Sequence, residues 1–243
     1  MRTFVVLLDR ELRATLQSFG FYALLALVAS YTAWGYVESL ELRGFQMGFA
    51  LFDVHNWLFW LTMLICPLLT MRLFAEERRS GSIELLMTAP VGDLQVVLAK
   101  YVAVVVEFLL FLFPIWVIHL VLALFYDSSP DWGHLASVTL GMSSVGLVFL
   151  ALGTMASALT SMQLWAALLG ALANMILWSV GQMRGFFPEG DLGHRVLSYL
   201  SLDLHLQTAL SGIVDLRQLV LQSTLVFLFL FWTVRIVETR KWR

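Results

Sequence analysis

Hydrophobic runs close to the 20 residues that a helix needs to cross about 30 Å of hydrocarbon occur six times along the chain, at 19–37, 56–74, 96–126, 135–159, 164–183 and 216–237. Charged residues collect between the runs. The pattern predicts an all-α polytopic membrane protein, one transmembrane domain over residues 1–243, with six transmembrane helices. Ahead of the first run, Val5, Leu8, Leu12, Leu16 and Phe19 recur at helical spacing opposite Arg10, Arg13 and Gln17. Residues 1–18 are therefore expected to form an amphipathic elbow helix in the interface. A cleaved signal peptide competes for this segment because Ala29, Ser30 and Ala33 are small. Its charged part is too long and carries both signs.

Composition narrows the class. The chain is 60% hydrophobic and 13% charged, with a mean hydropathy of +0.82, more apolar than a soluble domain of this size. The single cysteine, Cys66, falls inside the second run, which excludes a disulfide framework or a thiolate metal cluster. Net charge is −2, but its distribution matters more. Eleven of the 15 basic residues form three groups: Arg2, Arg10 and Arg13; Arg72, Arg78, Arg79 and Lys100; Arg235, Arg240, Lys241 and Arg243. Six crossings put all three groups on one side and leave Arg43, Arg184, Arg195 and Arg217 on the other. The positive-inside rule then predicts cytoplasmic termini.

Within the runs, Pro67 and Pro114 are expected kinks, tolerated where neighbours satisfy the freed carbonyls. Glu107, His119 and Asn174 are the candidate intramembrane polar residues. An ionisable group at the depth of Glu107 points to function, although an ion pair with Lys100 or an elbow base is preferred. Gly141, Gly146, Gly153, Ser157 and Ser161, with Ala166, Gly170 and Asn174 in the next run, supply small residues for close helix approach, within the chain or between subunits. Thr160 to Gln163 is too short to leave the bundle, so the fourth and fifth runs should form an antiparallel hairpin. Trp34 and Tyr36 close the first run, and Trp57 and Trp60 open the second, as an aromatic belt would. The loop of residues 38–55 carries no motif, and the turn from Asp127 to His134 contains no Lys or Arg, as its expected outer side requires. Residues 184–215 hold Val196, Leu197, Leu200, Leu204 and Leu210 at helix-like intervals, predicting short helices re-entering the outer interface and ending at Gly212.

The stretch from Arg72 to Lys100 is the most structured loop. Arg72 and Glu76 are four apart and Glu76 and Arg79 three apart, in reach of one another on a helix continued from the second span. Ser80-Gly81 breaks it. Ser82 then N-caps a two-turn helix with Glu84 in its first turn and Ile83, Leu85, Leu86 and Met87 as its apolar surface, stopped by Pro90. Gly92-Asp93 turns the chain, with Asp93 capping the third span. Two turns are unstable alone, so residues 75–95 either dock on a partner or lie in the headgroup layer.

Catalytic patterns are lacking. With only Lys100 and Lys241 in the chain no phosphate-binding loop can form, and ATP hydrolysis is not expected of it. His55, His119, His134, His194 and His205 show no paired spacing; a metal site from His194, Asp203 and His205 is conceivable, but solvated loop residues are the preferred reading.

Phe74-Ala75-Glu76-Glu77-Arg78-Arg79-Ser80-Gly81-Ser82-Ile83-Glu84-Leu85-Leu86, followed by Ala89-Pro90, resembles the signature of the type-2 permease subunits of ABC transporters, with Ser82 where the family usually has Thr. Leu200-Ser201-Leu202-Asp203, with Gly212, Asp215 and Arg217, is a second match. The nearest branch is that linked to gliding motility and nitrous oxide reductase maturation. The resemblance covers essentially the whole chain. It implies a bacterial inner-membrane exporter subunit that pairs with a second copy or a paralogue and binds two separate ATPase subunits, which would carry the ATP and Mg. It also admits a periplasmic accessory protein. No cofactor, metal or nucleic acid is implied for this chain, and membrane lipids are its surroundings. Gly81 to Pro90 would be the coupling helix, with Glu77 and Arg78 extending the second span toward the ATPase and Glu84 capping that helix or pairing with the ATPase. Few charges in the spans suit a lipid-like, hydrophobic or lipoprotein cargo. An ATPase-independent anchor or assembly factor, or a proton or ion channel using Glu107 and His119, are the alternatives.

Overall fold

The computed structural model describes residues 2–42, 47–81, 92–125 and 131–239. The elements are α1 (Arg2–Leu16), α2 (Phe19–Leu42), α3 (Met47–Thr70), α4 (Ala75–Ser80), α5 (Asp93–Phe125), α6 (Trp132–Leu159), α7 (Gln163–Gln182), a 3-10 turn (Met183–Phe186), α8 (Leu192–Leu200), α9 (Leu202–Leu210) and α10 (Leu216–Glu238). Six helices are long and apolar enough to cross a membrane, and no strand occurs among the described residues.

Helix α6 is the axis of the bundle, packing against α10, α7, α3, α9 and α5. Its small residues explain the central place. A Cβ on Gly141 would collide with Ala209, one on Gly146 with the Phe108 ring, and one on Gly153 with Thr70 Oγ1. On α7, a Cβ on Gly170 would stand 3.1 Å from Pro67 Cβ. The small-residue stripes therefore serve intrachain packing, bringing backbones close enough for dispersion to hold helices in lipid. Thr160 Oγ1 accepts the Met162 N–H at 3.2 Å, tying the short α6–α7 hairpin.

Several expected boundaries move. Helix α2 continues to Leu42 and α3 begins at Met47, so Glu38, Glu41, Asp53 and His55 lie on helices rather than in an 18-residue loop. Polar side chains can ride a helix that outruns the hydrocarbon. The Trp34 and Trp57 rings are 5.6 Å apart, and Trp178 lies 4.8 Å from Trp60. Tyr36, expected in the aromatic belt, is buried against His119 instead.

The apolar positions expected on the elbow divide between two faces, Leu8 and Leu12 toward the bundle and Val5 and Leu16 away from it. Phe4, Leu7, Leu8, Glu11, Leu12 and Thr15 are the half-buried stripe of α1, whereas Val5, Val6 and Leu16 are exposed. That stripe packs along α5, and Glu11 is drawn into it by a cation described below. At the far end, α8 and α9 fold back on α7 and α6 as two short helices, and Gly212 ends α9 with φ +81°. Leu202, His205, Leu206, Ala209 and Leu210 form the buried face of α9, one position off the expected Leu204 register.

Candidate functional site

The second span does not run straight into the charged loop. Helix α3 stops at Thr70, residues 71–74 form a turn, and α4 resumes at Ala75. A break at this point leaves backbone groups open, and Ser157 of α6 fills them. Its hydroxyl accepts the N–H groups of Phe74 at 3.1 Å and Ala75 at 3.3 Å, and donates to the Met71 carbonyl at 3.2 Å. Irregular backbone is tolerated at this depth only when a neighbour satisfies it in this way.

Helix α4 is held by charge. Lys100 of α5 is 4% exposed at its side chain and lies 2.8 Å from Glu77 Oε1 and 3.1 Å from Glu11 Oε1. Arg10 reaches the same two carboxylates, at 3.3 Å and 2.6 Å, and Lys100 Nζ also sits 5.6 Å from the centroid of the Phe74 ring. Burial alone would raise the Glu11 carboxyl; Lys100 beside it and hydrogen bonds from Arg10 and Lys100 hold it below its ordinary value. The network joins the elbow, α4 and α5 into one unit. The expected partners differ: among the described residues no ion pair links Arg72 to Glu76 or Glu76 to Arg79, and Lys100 serves Glu11 and Glu77 rather than Glu107.

Glu76 and Arg79 are exposed and Arg78 is half-buried. Gly81 terminates α4 in the left-handed region at φ +74°, its N–H 3.4 Å from the Arg78 carbonyl. Ser82, Ile83, Glu84, Leu85, Leu86 and Pro90, and with them the expected two-turn coupling helix, lie outside the described residues. The chain returns at Gly92, whose carbonyl accepts the N–H groups of Gln95 and Val96, so Asp93 is the first helical residue of α5 rather than the residue before it.

The intramembrane candidates do not gather. Glu107 is buried and faces α1, with Thr15 as its hydrogen-bonding neighbour and Glu11 close enough to act on it electrostatically. His119, twelve residues on, is buried with its ring centroid 6.1 Å from that of Trp132. Asn174 is fully buried on α7 and donates from Nδ2 to the Met63 carbonyl at 3.3 Å.

The second motif builds the far end. Asp203 pairs with Arg184 at 3.3 Å and accepts from the Ser201 hydroxyl. Burial would raise this carboxyl, yet Ser201 and Arg184 hold it below its ordinary range. His205 Nε2 lies 3.0 Å from the Tyr199 carbonyl and its Nδ1 3.4 Å from Gln222 Nε2, while His194 Nδ1 lies 3.2 Å from the Arg184 carbonyl. Asp215 N-caps α10, accepting the Arg217 N–H at 2.9 Å, and the Arg217 carbonyl accepts from Tyr199 at 3.2 Å. The histidines are therefore not solvated as expected: His55, His119 and His205 are buried and His134 is hydrogen-bonded to the Leu210 carbonyl. His194 and His205 ride the short helices that fold back on the bundle, whereas His55, His119 and His134 lie on the long helices α3, α5 and α6.

Six apolar helices among the described residues, packed around a small-residue axis, define a multi-pass membrane protein. The family described as ABC-2 family transporter protein matches residues 44–180, more than half of the chain, and the chain belongs to that family. It is thus a permease, the membrane component of an ABC transporter. The match includes Phe74 to Pro90 and stops short of the Asp203 motif. No curated protein matches the chain.

Proposed function

We propose that this permease is the transmembrane half of an ATP-driven exporter and that separate ATPase subunits, two per complex, drive it through residues 81–90. The supporting observation is the clamp on α4: Lys100 and Arg10 hold Glu77, so the segment that leaves Gly81 starts from a fixed base. A docking helix can convey a partner's motion only if its base does not swing freely. The basic groups then face the cytoplasm with both termini, and α8 and α9 face outward, in a bacterial inner membrane. A second permease copy or a paralogue completes the transport path, and the motif favours the gliding-motility and nitrous oxide reductase maturation branch.

Co-purification tests the reading. An ATPase chain should copurify with the wild-type protein and be lost on Glu84→Lys or on deletion of residues 81–89, with the bundle still folded. Retention of the ATPase by both variants would refute docking at this loop. Proton flux through the isolated chain, abolished by Glu107→Gln, would instead favour a channel.

A further inference from the structure

Glu107 lines a half-open cavity of about 780 Å³ between α1, the start of α2, the end of α3, α4 and α5, within the range of small-molecule sites. Phe21, Leu24, Leu68 and Val104 form its apolar wall. Arg10, Glu11, Arg72, Glu76, Glu77 and Lys100 line it elsewhere. The depth follows from neighbours. The Phe21 and Phe111 rings are 5.3 Å apart, so Glu107, one turn before Phe111, stands level with the start of α2, where the hydrocarbon begins. Lys100 lies seven residues earlier, about 10 Å along the helix, on the water side. By the hydrophobic runs of the sequence, the cavity spans the expected membrane boundary, with Glu107 at its deeper end and Lys100 on the water side.

Its charges are unevenly matched. Glu11 and Glu77 share Lys100 and Arg10. Glu107 is only 3% exposed and, among the described residues, has no cation within 4.0 Å, while the nearby Glu11 carboxylate adds to the negative potential around it. Arg72 lines the same cavity and likewise has no carboxylate within 4.0 Å among the described residues. Glu107, with Thr15 as its hydrogen-bonding neighbour, and the exposed Arg72 thus remain without an ionic partner among the described residues, and the exposed Glu76 also lines the cavity.

We infer that this cavity binds a phospholipid whose head carries a primary ammonium, phosphatidylethanolamine, with the ammonium on Glu107 and the phosphate toward Arg72. A primary ammonium offers three N–H donors to the carboxylate. Phosphatidylcholine has the charge without the donors, and phosphatidylglycerol has neither. The inference concerns the chain alone and does not depend on an ATPase.

The test uses the full chain, without any ATPase, in nanodiscs of equal parts phosphatidylethanolamine, phosphatidylglycerol and phosphatidylcholine, followed by native mass spectrometry of the released protein. The wild type should retain phosphatidylethanolamine about tenfold over the other two, equivalent to about 1.4 kcal/mol. Glu107→Gln should remove that preference. Ala14→Trp, which projects a ring into the cavity from the exposed side of α1, should abolish retention without touching the core, and it decides the matter if Glu107→Gln does not fold. Equal retention of the three lipids by the wild type, undiminished retention by Ala14→Trp, or an unchanged preference in folded Glu107→Gln would each overturn the assignment.

Discussion

Asn174 Nδ2 donates to the carbonyl of Met63 at 3.3 Å, and Met63 is the residue four positions before Pro67. Proline has no N–H, so this is the carbonyl that the α3 hydrogen-bond ladder leaves open. The side chain of one span thus repairs the interruption in another, and Gly170, one turn earlier on α7, leaves room for the proline ring.

Replacing Asn174 with Leu should therefore destabilise the bundle by about 1 to 2 kcal/mol, the usual cost of an unmet buried group in a membrane bundle. In a Pro67→Ala background, where Met63 regains its backbone partner, the same replacement should cost less. Reversible unfolding in mixed micelles of the two single variants and the double variant measures the coupling; additive losses would show that the two residues act separately.

Ser157→Ala should expose the break in α3. Three backbone groups lose their partner at once, for a loss of about 1 to 3 kcal/mol. Hydrogen exchange at the amides of Phe74 and Ala75 should accelerate. Ser179→Ala, on the exposed face of α7, should leave exchange and stability unchanged.

Lys100→Met removes the cation that Glu11 and Glu77 share. The expected loss approaches the 3 to 5 kcal/mol typical of breaking a buried pair from one side. Adding Glu11→Gln and Glu77→Gln should restore most of it, because neutral amides do not need the ammonium. A thermal melt of the three-fold variant that lies no higher than that of Lys100→Met would contradict the clamp.

His205 sets a pH dependence at the far end. Burial lowers its pKa from the ordinary 6.5, and the neutral ring matches its surroundings, with Nε2–H donating to Tyr199 and Nδ1 accepting from Gln222. Above pH 6.5 both the folded and unfolded states hold a neutral ring. As pH falls below 6.5 the unfolded state takes up the proton first, so stability declines by up to about 1.4 kcal/mol per unit until the lowered folded pKa is passed. Limited proteolysis of α9 should rise from pH 7 to pH 5 in the wild type and stay level in His205→Gln.

The six crossings and the small-residue stripes were legible because their signals are local: length, hydropathy and spacing along one helix. Pro67 could likewise be marked as a residue needing outside help. That the help comes from Asn174, more than a hundred positions away, had no local signal. The pairing expected for Glu107 failed for a geometric reason. Lys100 and Glu107 share a face, but seven residues separate them by about 10 Å along the axis, beyond ion-pair reach. Lys100 instead takes carboxylates delivered by α1 and α4, which only the fold brings near. Of the apolar positions expected on the elbow, Leu8 and Leu12 lie on its inward stripe; that Glu11 joins them had no local signal, because its cation Lys100 comes from α5. Of the most specific family signal, Phe74 to Leu86 with Ala89-Pro90, the part from Ser82 onward lies outside the described residues.

The interruption at residues 71–74 decides where a load applied at Gly81 can go. A continuous rod would pass a push straight up its own length, through α3, to the opposite leaflet. A rod cut at that level and pinned by Ser157 shares the push sideways with α6, the member in contact with most of the bundle. A shove on one short segment would then be felt as a shift of the whole frame.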